Sequence, residues 1–543
     1  MLRPIADVAA DLGISPDHLL PVGRHKAKID LAALSDDTDR AGRLVLVSAI
    51  TPTPAGEGKT TTSIGLAQGL RAAGERVCVA LREPSLGPCF GVKGGGTGGG
   101  RSTIEPSTDI NLHFTGDFHA ITAAHNLLAA AIDNHVHHGN ELGIDLRRVT
   151  WPRVLDVNDR SLRRCVTGLG GPSDGVPRQT GFDITAASEI MAMLCLAEGP
   201  DDLRARIDRT LIAFTGKRRP VFAGQLGITG ALMALLKDAM LPNLVQTADG
   251  TPAVVHGGPF ANIAHGCNSI IATRMAMRHA DWTITEAGFG FDLGAEKFFD
   301  IKCVQAGLNP CAVVLVATVR ALKMHGGVAL ADLRQADPDA VRRGLANLDK
   351  HVENIRIFGV QPLVALNRFD ADDDAEVAVV ADHCAAMGVP FAESRHFAEG
   401  AAGAAELAGL LREVARCPDG PVRPLYQPED SVADKIRAVA TRIYGAESVD
   451  FTKDAERALQ RISRLGYAHL PVCIAKTQNS LSDNPRLRGR PRGFEITVRD
   501  VVINSGAGFL VVLTGDILRM PGLPRSPQAE RIDLVDGEIV GVG

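Results

Sequence analysis

A run of small and hydroxyl-bearing residues that ends in Gly-Lys-Thr-Thr has the composition of a phosphate-binding loop. Its members are Thr53, Pro54, Ala55, Gly56, Glu57, Gly58, Lys59, Thr60 and Thr61. Glycines let backbone N–H groups point inward, a helix N-terminus adds partial positive charge, and Lys59 is placed to reach the β- and γ-phosphates. The Thr60 hydroxyl is placed to bind Mg²⁺. We predict that this run binds ATP and that Lys59 is catalytic.

The loop departs from the strict motif at one position, because Thr53 stands where the pattern has glycine. The segment before it, 43–50, is apolar and strand-like, and the segment after it, 63–73, has a helical pattern. The order strand, loop, helix is therefore kept. A plain surface turn, the alternative interpretation, explains neither the lysine nor the threonines.

A second chemical group follows the next apolar run, Val77–Leu81. Arg82 carries a guanidinium that can hold a carboxylate or an acyl phosphate through two hydrogen bonds. The carboxyl ends of parallel strands meet at one edge of a sheet, so we predict that Arg82 lies beside the phosphate loop and is catalytic. The alternative is an ordinary surface arginine paired with carboxylates.

The elements that must position these groups alternate between apolar runs and helical patterns. The predicted strands are Leu44–Ile50, Val77–Leu81, Arg153–Val157, Ala253–His256, Trp282–Thr285, Ala312–Thr318, Pro362–Leu366 and Ile496–Val501, and the predicted helices include Thr122–Asn134, Ala186–Leu196, Asp201–Phe214 and Ala375–Met387. Continuous Val, Ile and Ala runs are typical of strands covered on both faces. The alternation predicts an α/β fold with a large P-loop NTPase-like parallel sheet flanked by helices and two smaller α/β domains.

Domain boundaries are faint in this sequence. We predict a nucleotide-binding domain over 1–345, with room for an inserted subdomain, a second α/β domain over 346–428 and a C-terminal α/β domain over 429–543. The last boundary follows the proline-rich stretch 417–428.

Length and composition indicate a well-buried protein. The chain has 543 residues, 45% hydrophobic and 22% charged, which exceeds one ordinary core. A net charge of −5 argues against nucleic-acid binding. No secretory signal or membrane-spanning run is visible, so we expect a cytoplasmic protein without a membrane partner. The ten cysteines contain no C-x-x-C pair and are predicted to be reduced, mostly buried thiols.

Three further polar segments keep more than one interpretation. His113, Asp117 and His119 match no metal-ligand spacing, and polar packing or active-site lining is favoured over a metal site. The loop 256–266 either lines a nucleotide pocket or forms a turn. The basic run Arg486–Arg492 is interpreted as a solvated loop, with a polyanion site as the minor alternative.

With these residues in view, the chain resembles the formate–tetrahydrofolate ligase (formyltetrahydrofolate synthetase) family over nearly its whole length. The likeness is carried by TPAGEGKTTT in the loop, by the glycine-rich segment 91–100, by GPFANIAHGCNS (258–269), by VATVRALKMHGG (316–327) and by the tail from Ser505 to Pro524.

The resemblance implies a reaction in which formate, ATP and tetrahydrofolate give 10-formyltetrahydrofolate, ADP and phosphate through formyl phosphate. It implies Lys59 on the phosphates, Mg²⁺ on Thr60 and Arg82 on formate. It also implies a monovalent cation, K⁺ or NH₄⁺, for which Glu83 is the candidate ligand. Enzymes of this kind are homotetramers.

The resemblance also implies that the predicted domain 346–428 is a folate-site α/β domain, in which the pterin of the folate is held between two aromatic rings. The first matches Phe369, and the second matches Phe397, where the family has tryptophan. In the glycine-rich segment, Gly96, Thr97 and Arg101 replace two alanines and a tyrosine of the usual family sequence. Without the resemblance, a lone phenylalanine after a strand indicates core packing.

Two other functions are weighed against the ligase. A P-loop ATPase switch of the partitioning or iron–sulfur-carrier type predicts a shorter chain and an additional early lysine in the loop, where this chain has Thr53, Pro54 and Ala55. A catalytically weakened ligase paralogue is kept open by Phe397 and Arg101.

Overall fold

One large sheet forms the centre of the computed structural model, which describes residues 2–36, 42–418, 420–515 and 517–542. Its parallel part consists of β1 (Arg43–Ala49), β2 (Val77–Leu81), β3 (Pro252–Val255), β4 (Trp282–Glu286), β5 (Pro310–Ala317), β6 (Pro362–Asn367) and β7 (Phe391–Ser394). The strand order across the sheet is β3-β2-β4-β1-β5-β6-β7, and every neighbouring pair is parallel.

Antiparallel strands extend the sheet beyond β3, and smaller sheets surround it. The extension consists of Asn243–Thr247, Ala27–Ile29, Leu19–Pro21, Ser102–Glu105 and Gly98–Gly99. The smaller sheets are formed by Ile144–Val149, Leu211–Thr215 and Pro220–Phe222, by Arg153–Leu155 with Phe182–Ile184, by Cys165–Thr167 with Arg178–Thr180, and by Asp533–Val535 with Glu538–Val540. A four-stranded sheet near the C-terminus contains Ser448–Phe451, Val472–Ala475, Glu495–Asn504 and Phe509–Thr514.

Three helices contribute most directly to the candidate site: α1 (Lys59–Ala72), α2 (Val319–His325) and α3 (Pro338–Ile357). The other helices in the described part of the chain are Ile5–Leu12, Leu86–Pro88, Ser107–Asn111, Asp117–His137, Glu189–Leu196, Pro200–Asp208, Thr229–Leu236, Ile270–His279, Val304–Ala306, Asp374–Ala386, His396–Glu399, Ala405–Val414, Val432–Val439 and Lys453–Arg464.

The central strands are covered on both faces, as their continuous apolar sequences predict. All residues of β5 are buried. In β1, Leu44 and Leu46 pack into one hydrophobic cluster, while Val45 and Val47 pack into another on the opposite side. The α/β class with a large parallel sheet is therefore confirmed.

One predicted helix is partly wrong. The segment predicted as the helix Asp201–Phe214 is helical only over Pro200–Asp208, and Leu211–Thr215 is a strand. The helix ends where Thr210 and the apolar Leu-Ile-Ala-Phe run begin, and that run pairs with Pro220–Phe222 and Ile144–Val149. Neighbouring strands, which the local pattern does not reveal, decide this segment.

The predicted domain division stays a prediction. Its first boundary, between 345 and 346, falls inside α3, and β6 and β7 of the predicted folate-site domain pair within the main sheet. The four-stranded sheet near the C-terminus lies wholly beyond the second boundary at 428.

The prediction that all cysteines are free thiols is wrong for one pair. Cys311 and Cys417, which are 106 positions apart, form a disulfide. They meet because the chain returns after the helix Ala405–Val414 to the start of β5, where the Arg416 N–H donates to the Cys311 carbonyl at 3.2 Å. The other eight cysteines are free, and all of them except Cys165 are buried.

Helix α2 packs closely on α3 through glycine. An ideal Cβ added at Gly344 would lie 2.0 Å from the carbonyl oxygen of Leu322, and one at Gly326 would lie 1.9 Å from that of Ala340. Backbone atoms cannot yield as a flexible side chain can. The start of α2 touches the phosphate loop, so this close packing sets the distance between α3 and the site.

We therefore expect Gly344→Ala to destabilise the protein by about 1–3 kcal/mol through overpacking, measured by urea unfolding. Gly409→Ala is the matched control, since Gly409 lies inside the helix Ala405–Val414 with nothing within 4 Å of an added Cβ. The control should be neutral or stabilising by up to about 1 kcal/mol. Equal effects of the two substitutions would contradict the close-packing argument.

Candidate active site at the carboxyl edge of the sheet

The phosphate loop leaves β1 and turns into α1 through two glycines with positive φ. Gly56 has φ 79° and Gly58 has φ 75°. An added Cβ at Gly58 would lie 2.4 Å from the Asn367 side-chain nitrogen, so this position also needs glycine for space. Helix α1 begins at Lys59, and the first N–H groups of a helix have no partner inside it. The loop therefore presents donors to an anion.

Glu57 holds this loop together from within. Its side chain is 1% exposed, and its carboxylate accepts from the Thr53 N–H at 2.6 Å and from the Thr318 hydroxyl. The Asn367 side chain donates to the Glu57 carbonyl at 3.1 Å. The Glu57 side chain thus folds the loop and is directed away from the position of a nucleotide.

Thr53 replaces the motif glycine without backbone strain. It is not among the residues with positive φ, so the position does not need glycine's freedom. Its N–H is taken by Glu57. This explains how the loop tolerates threonine where the strict pattern has glycine.

Glu286 links the loop to Arg82. It ends β4, the strand between β1 and β2, and is 4% exposed. The Thr60 hydroxyl donates to its Oε2 at 2.8 Å, and the Arg82 Nη2 lies 3.5 Å from its Oε1. Glu286 therefore brings Arg82 close to Thr60, although one strand, β4, lies between the strand of Arg82 and β1. Glu286 was not predicted, because nothing in the local sequence places its strand beside β1.

Three cations converge on this carboxylate. Burial, together with the nearby charges of Lys93 and Arg82, lowers the pKa of Lys59 to about 8, while Glu286 opposes the shift. Desolvation and the charge of Arg82 also lower the pKa of Lys93. More positive than negative charge is held here, so the site favours an anion. Lys93 lies inside the glycine-rich segment and was not predicted as a site residue.

The loops around Arg82 fix its direction. Its Nη1 donates to the Pro259 carbonyl at 3.2 Å, so the loop 256–266 lines the site. An added Cβ at Gly288 would lie 3.0 Å from that Nη1. The next residue, Phe289, has φ 59°, a strained conformation for a bulky residue that is common at functional sites. The buried Arg82 Nε has no hydrogen-bond partner, which leaves a donor for a ligand.

The two predicted pterin-binding rings follow adjacent strands at this edge. Phe369 follows β6, is half-buried and has the Arg320 guanidinium 4.2 Å from its ring centroid. Phe397 follows β7 and is 51% exposed. An added Cβ at Gly99 would lie 2.9 Å from the Phe397 ring. Each ring thus lies on the side of the sheet that carries the phosphate loop.

Comparison with known proteins gives one consistent result. A family model described as formate–tetrahydrofolate ligase matches residues 1–543. Proteins named formate–tetrahydrofolate ligase from Granulibacter bethesdensis, Porphyromonas gingivalis and Nocardioides sp. are 55%, 53% and 56% identical to the chain. The alignments cover 100% of this chain and 95%, 98% and 98% of those proteins. The chain belongs to the formate–tetrahydrofolate ligase family.

Membership of this family disfavours the ATPase-switch alternative, since the match runs over the full chain rather than over the phosphate loop alone. It leaves the weakened-paralogue alternative to be judged from the residues that depart from the family.

The departures in the glycine-rich segment are accommodated locally. The Thr97 hydroxyl is buried and accepts from the Asn111 side chain at 3.0 Å, while the Gly96 N–H donates to the same amide at 2.7 Å. The Arg101 N–H donates to the Phe397 carbonyl at 2.8 Å. These replacements therefore keep the segment folded against Phe397.

Glu83, the predicted ligand of a monovalent cation, follows Arg82 in the chain and lines a small cavity. Its buried Oε2 has no hydrogen-bond partner. Burial and the nearby Asp117 and Asp156 raise the pKa of its carboxyl, while Lys28 opposes them. His113 and His119 share the small cavity that it lines. A buried carboxyl among other carboxyls is a site that a cation would stabilise.

The histidine-rich segment beside Glu83 is held by polar contacts. His113 Nδ1 lies 2.9 Å from His119 Nε2. Asp117 accepts from Lys28 at 2.7 Å and from the Asn243 side chain at 2.7 Å. In the part of the chain that the structure describes, no three His, Cys, Asp or Glu side chains are grouped to hold a metal ion.

The basic run Arg486–Arg492 has structural contacts. Arg490 pairs with Glu353 through both carboxylate oxygens, at 2.8 and 2.7 Å. The Gly489 N–H donates to His325 Nδ1 at 3.1 Å.

Among the described helices, none is long and apolar enough to cross a bilayer.

Proposed function

We propose that the protein ligates formate to tetrahydrofolate with ATP, giving 10-formyltetrahydrofolate, ADP and phosphate through formyl phosphate. The observation that carries the proposal is that Thr60, next to Lys59 in the phosphate loop, and Arg82 both contact Glu286. Membership of the ligase family and the full-length identity support it. Arg82, beside the phosphate loop, can bind an anionic substrate. A nucleotide switch does not need such a residue.

In the first step, a formate oxygen attacks the γ-phosphorus and the bond to the β-phosphate oxygen breaks, so that ADP leaves. Lys59 and the N–H groups of the loop bind the β- and γ-phosphates, and Arg82 orients the formate. Charge held in place before the reaction stabilises the transferring group without reorganisation. The protein contributes position and charge rather than a covalent group.

The Thr60 hydroxyl and the Glu286 carboxylate at the end of β4, which are 2.8 Å apart, are oxygen ligands suited to Mg²⁺. Hard cations prefer such oxygens. When bound there, Mg²⁺ would neutralise phosphate charge. Glu83 is our proposed ligand for K⁺ or NH₄⁺, on the grounds of its unpartnered buried oxygen.

In the second step, N10 of the folate attacks the formyl carbon and phosphate leaves, with Arg82 holding the oxygens that carry the charge. Phe369 and Phe397 stack on the pterin. The family resemblance further implies a cytoplasmic homotetramer, and sedimentation equilibrium measures that assembly.

A coupled assay tests the proposal through ADP that depends on both formate and tetrahydrofolate. The wild type should produce it, and Lys59→Ala should lose about 100-fold or more in kcat. Lys217→Ala, at an exposed lysine, is the matched control and should keep full activity. ATP hydrolysis without dependence on formate and folate would disprove the ligase function. Full activity of Lys59→Ala would instead disprove the loop assignment.

Glu286→Gln should change nucleotide binding in opposite directions with and without Mg²⁺. Without Mg²⁺, removal of a negative charge beside three cations should tighten ATP binding severalfold. With Mg²⁺, loss of a charged ligand should weaken it by about tenfold or more. Calorimetry in EDTA and in excess Mg²⁺ measures both. Changes in the same direction would show that Glu286 does not bind the metal ion.

Phe397→Trp should restore the larger ring of the family and tighten tetrahydrofolate binding by about two- to fivefold, equivalent to ~0.5–1 kcal/mol of stacking. Phe397→Leu should weaken it, and neither substitution should alter the Kd for ATP. Equilibrium titration with tetrahydrofolate gives the values. If the Leu variant binds folate as the wild type does, Phe397 is not a wall of the site. A large gain of kcat in the Trp variant would favour a weakened paralogue.

A further inference from the structure

Arg320 contacts both halves of the proposed site, and the mechanism above gives it no role. It lies in the first turn of α2. Its Nη2 donates to the Gly56 carbonyl of the phosphate loop at 3.1 Å. Its guanidinium carbon lies 4.2 Å from the centroid of the Phe369 ring. One side chain therefore joins the loop that would hold ATP to a ring that would hold the pterin.

The backbone of Arg320 is fixed relative to the loop. Thr318, the residue before α2, accepts from the Ala321 N–H at 3.1 Å and donates to the Glu57 carboxylate. The start of the helix and the loop thus share one buried carboxylate. Any change in the loop reaches Arg320 through this contact as well as through Gly56.

The acceptor on the loop depends on the loop's conformation. Gly56 has φ 79°, so it lies in a left-handed turn. The orientation of its carbonyl depends on that turn, which a bound phosphate would stabilise. On the other side, Asn367 donates to the Glu57 carbonyl two residues before Phe369. The segment that carries Phe369 and the loop are therefore connected through two side chains, Asn367 and Arg320. Of these two, Arg320 contacts the face of the ring.

The guanidinium still has an unmet donor. The Arg320 Nε is buried and has no hydrogen-bond partner, and an arginine has five N–H donors to satisfy. An unpaired buried donor is costly. The guanidinium is therefore only partly satisfied here, and a movement of the Gly56 carbonyl can change its orientation.

We propose that Arg320 couples nucleotide occupancy of the phosphate loop to binding of the pterin at Phe369. With the loop filled, the Gly56 carbonyl holds the guanidinium flat on one face of Phe369. The ring is then fixed in plane, and its opposite face is presented to the pterin. Arg320 acts as a positioning residue. The inference rests on the proposed function, since it takes Phe369 as a wall of the folate site.

Coupling of this kind is reciprocal and measurable without turnover. The Kd for tetrahydrofolate is measured by calorimetry in the absence of formate, with and without a saturating non-hydrolysable ATP analogue and Mg²⁺. The ratio of the two Kd values is the coupling. In the wild type, nucleotide should tighten folate binding by about fivefold or more.

Arg320→Gln removes the charge and the planar fork, and the ratio should fall below about twofold. Arg320→Lys keeps the charge without the fork and should give an intermediate ratio. Arg343→Gln is the matched control. Arg343 is exposed and also donates to a backbone carbonyl, that of Gly326 at 3.0 Å, so its ratio should equal that of the wild type.

The outcomes separate the two proposals. An unchanged ratio in Arg320→Gln, or a wild-type ratio of one with both ligands bound, overturns the role of Arg320 and leaves the ligase function intact. Failure of the wild type to bind tetrahydrofolate overturns the proposed function itself. If Arg320→Gln does not fold, the Lys variant decides, because a ratio equal to that of the wild type again overturns the coupling.

Discussion

The buried carboxylate of Glu57 is the contact on which the site depends. It accepts from Thr53 on the strand side of the loop and from Thr318 at the start of α2, and its own carbonyl accepts from Asn367 at the end of β6. Segments that follow β1, β5 and β6 are thereby tied at one residue. A buried charge that lost these partners would be strongly destabilising, so the loop and its neighbours hold their arrangement together.

The site around this loop carries more positive than negative charge. The pKa of Lys59 is lowered to about 8 by burial and by Lys93 and Arg82, and such a group gains stability when an anion arrives. Glu286 offsets only part of the charge. An anion bound here would offset the remaining positive charge. Donors fixed in this way need no rearrangement as charge develops on the transferring group.

The sequence predicted what is local and missed what depends on strand order. The loop 53–61 and Arg82 follow apolar runs directly, so their place at a strand end could be inferred. Glu286 could not be placed, because β4 lies between β1 and β2 although it follows both of them far along the chain. Lys93 could not be placed either, since it lies in a glycine-rich segment whose path no local pattern predicts. The local pattern also predicts helix for most of the strand Leu211–Thr215. That prediction fails because strand pairing, which includes the remote segment Ile144–Val149, decides the structure there.

The position of the aromatic rings follows from the same topology. β6 and β7 pair with β5, and β5 pairs with β1, so one hydrogen-bonded layer carries the phosphate loop, Phe369 and Phe397. If the two rings lay on a separate domain joined by a linker, their distance from the phosphate loop would change with domain motion. In a shared sheet that distance is set by strand spacing, and the remaining freedom lies in side chains. Arg320 is the side chain that contacts both the phosphate loop and the Phe369 ring.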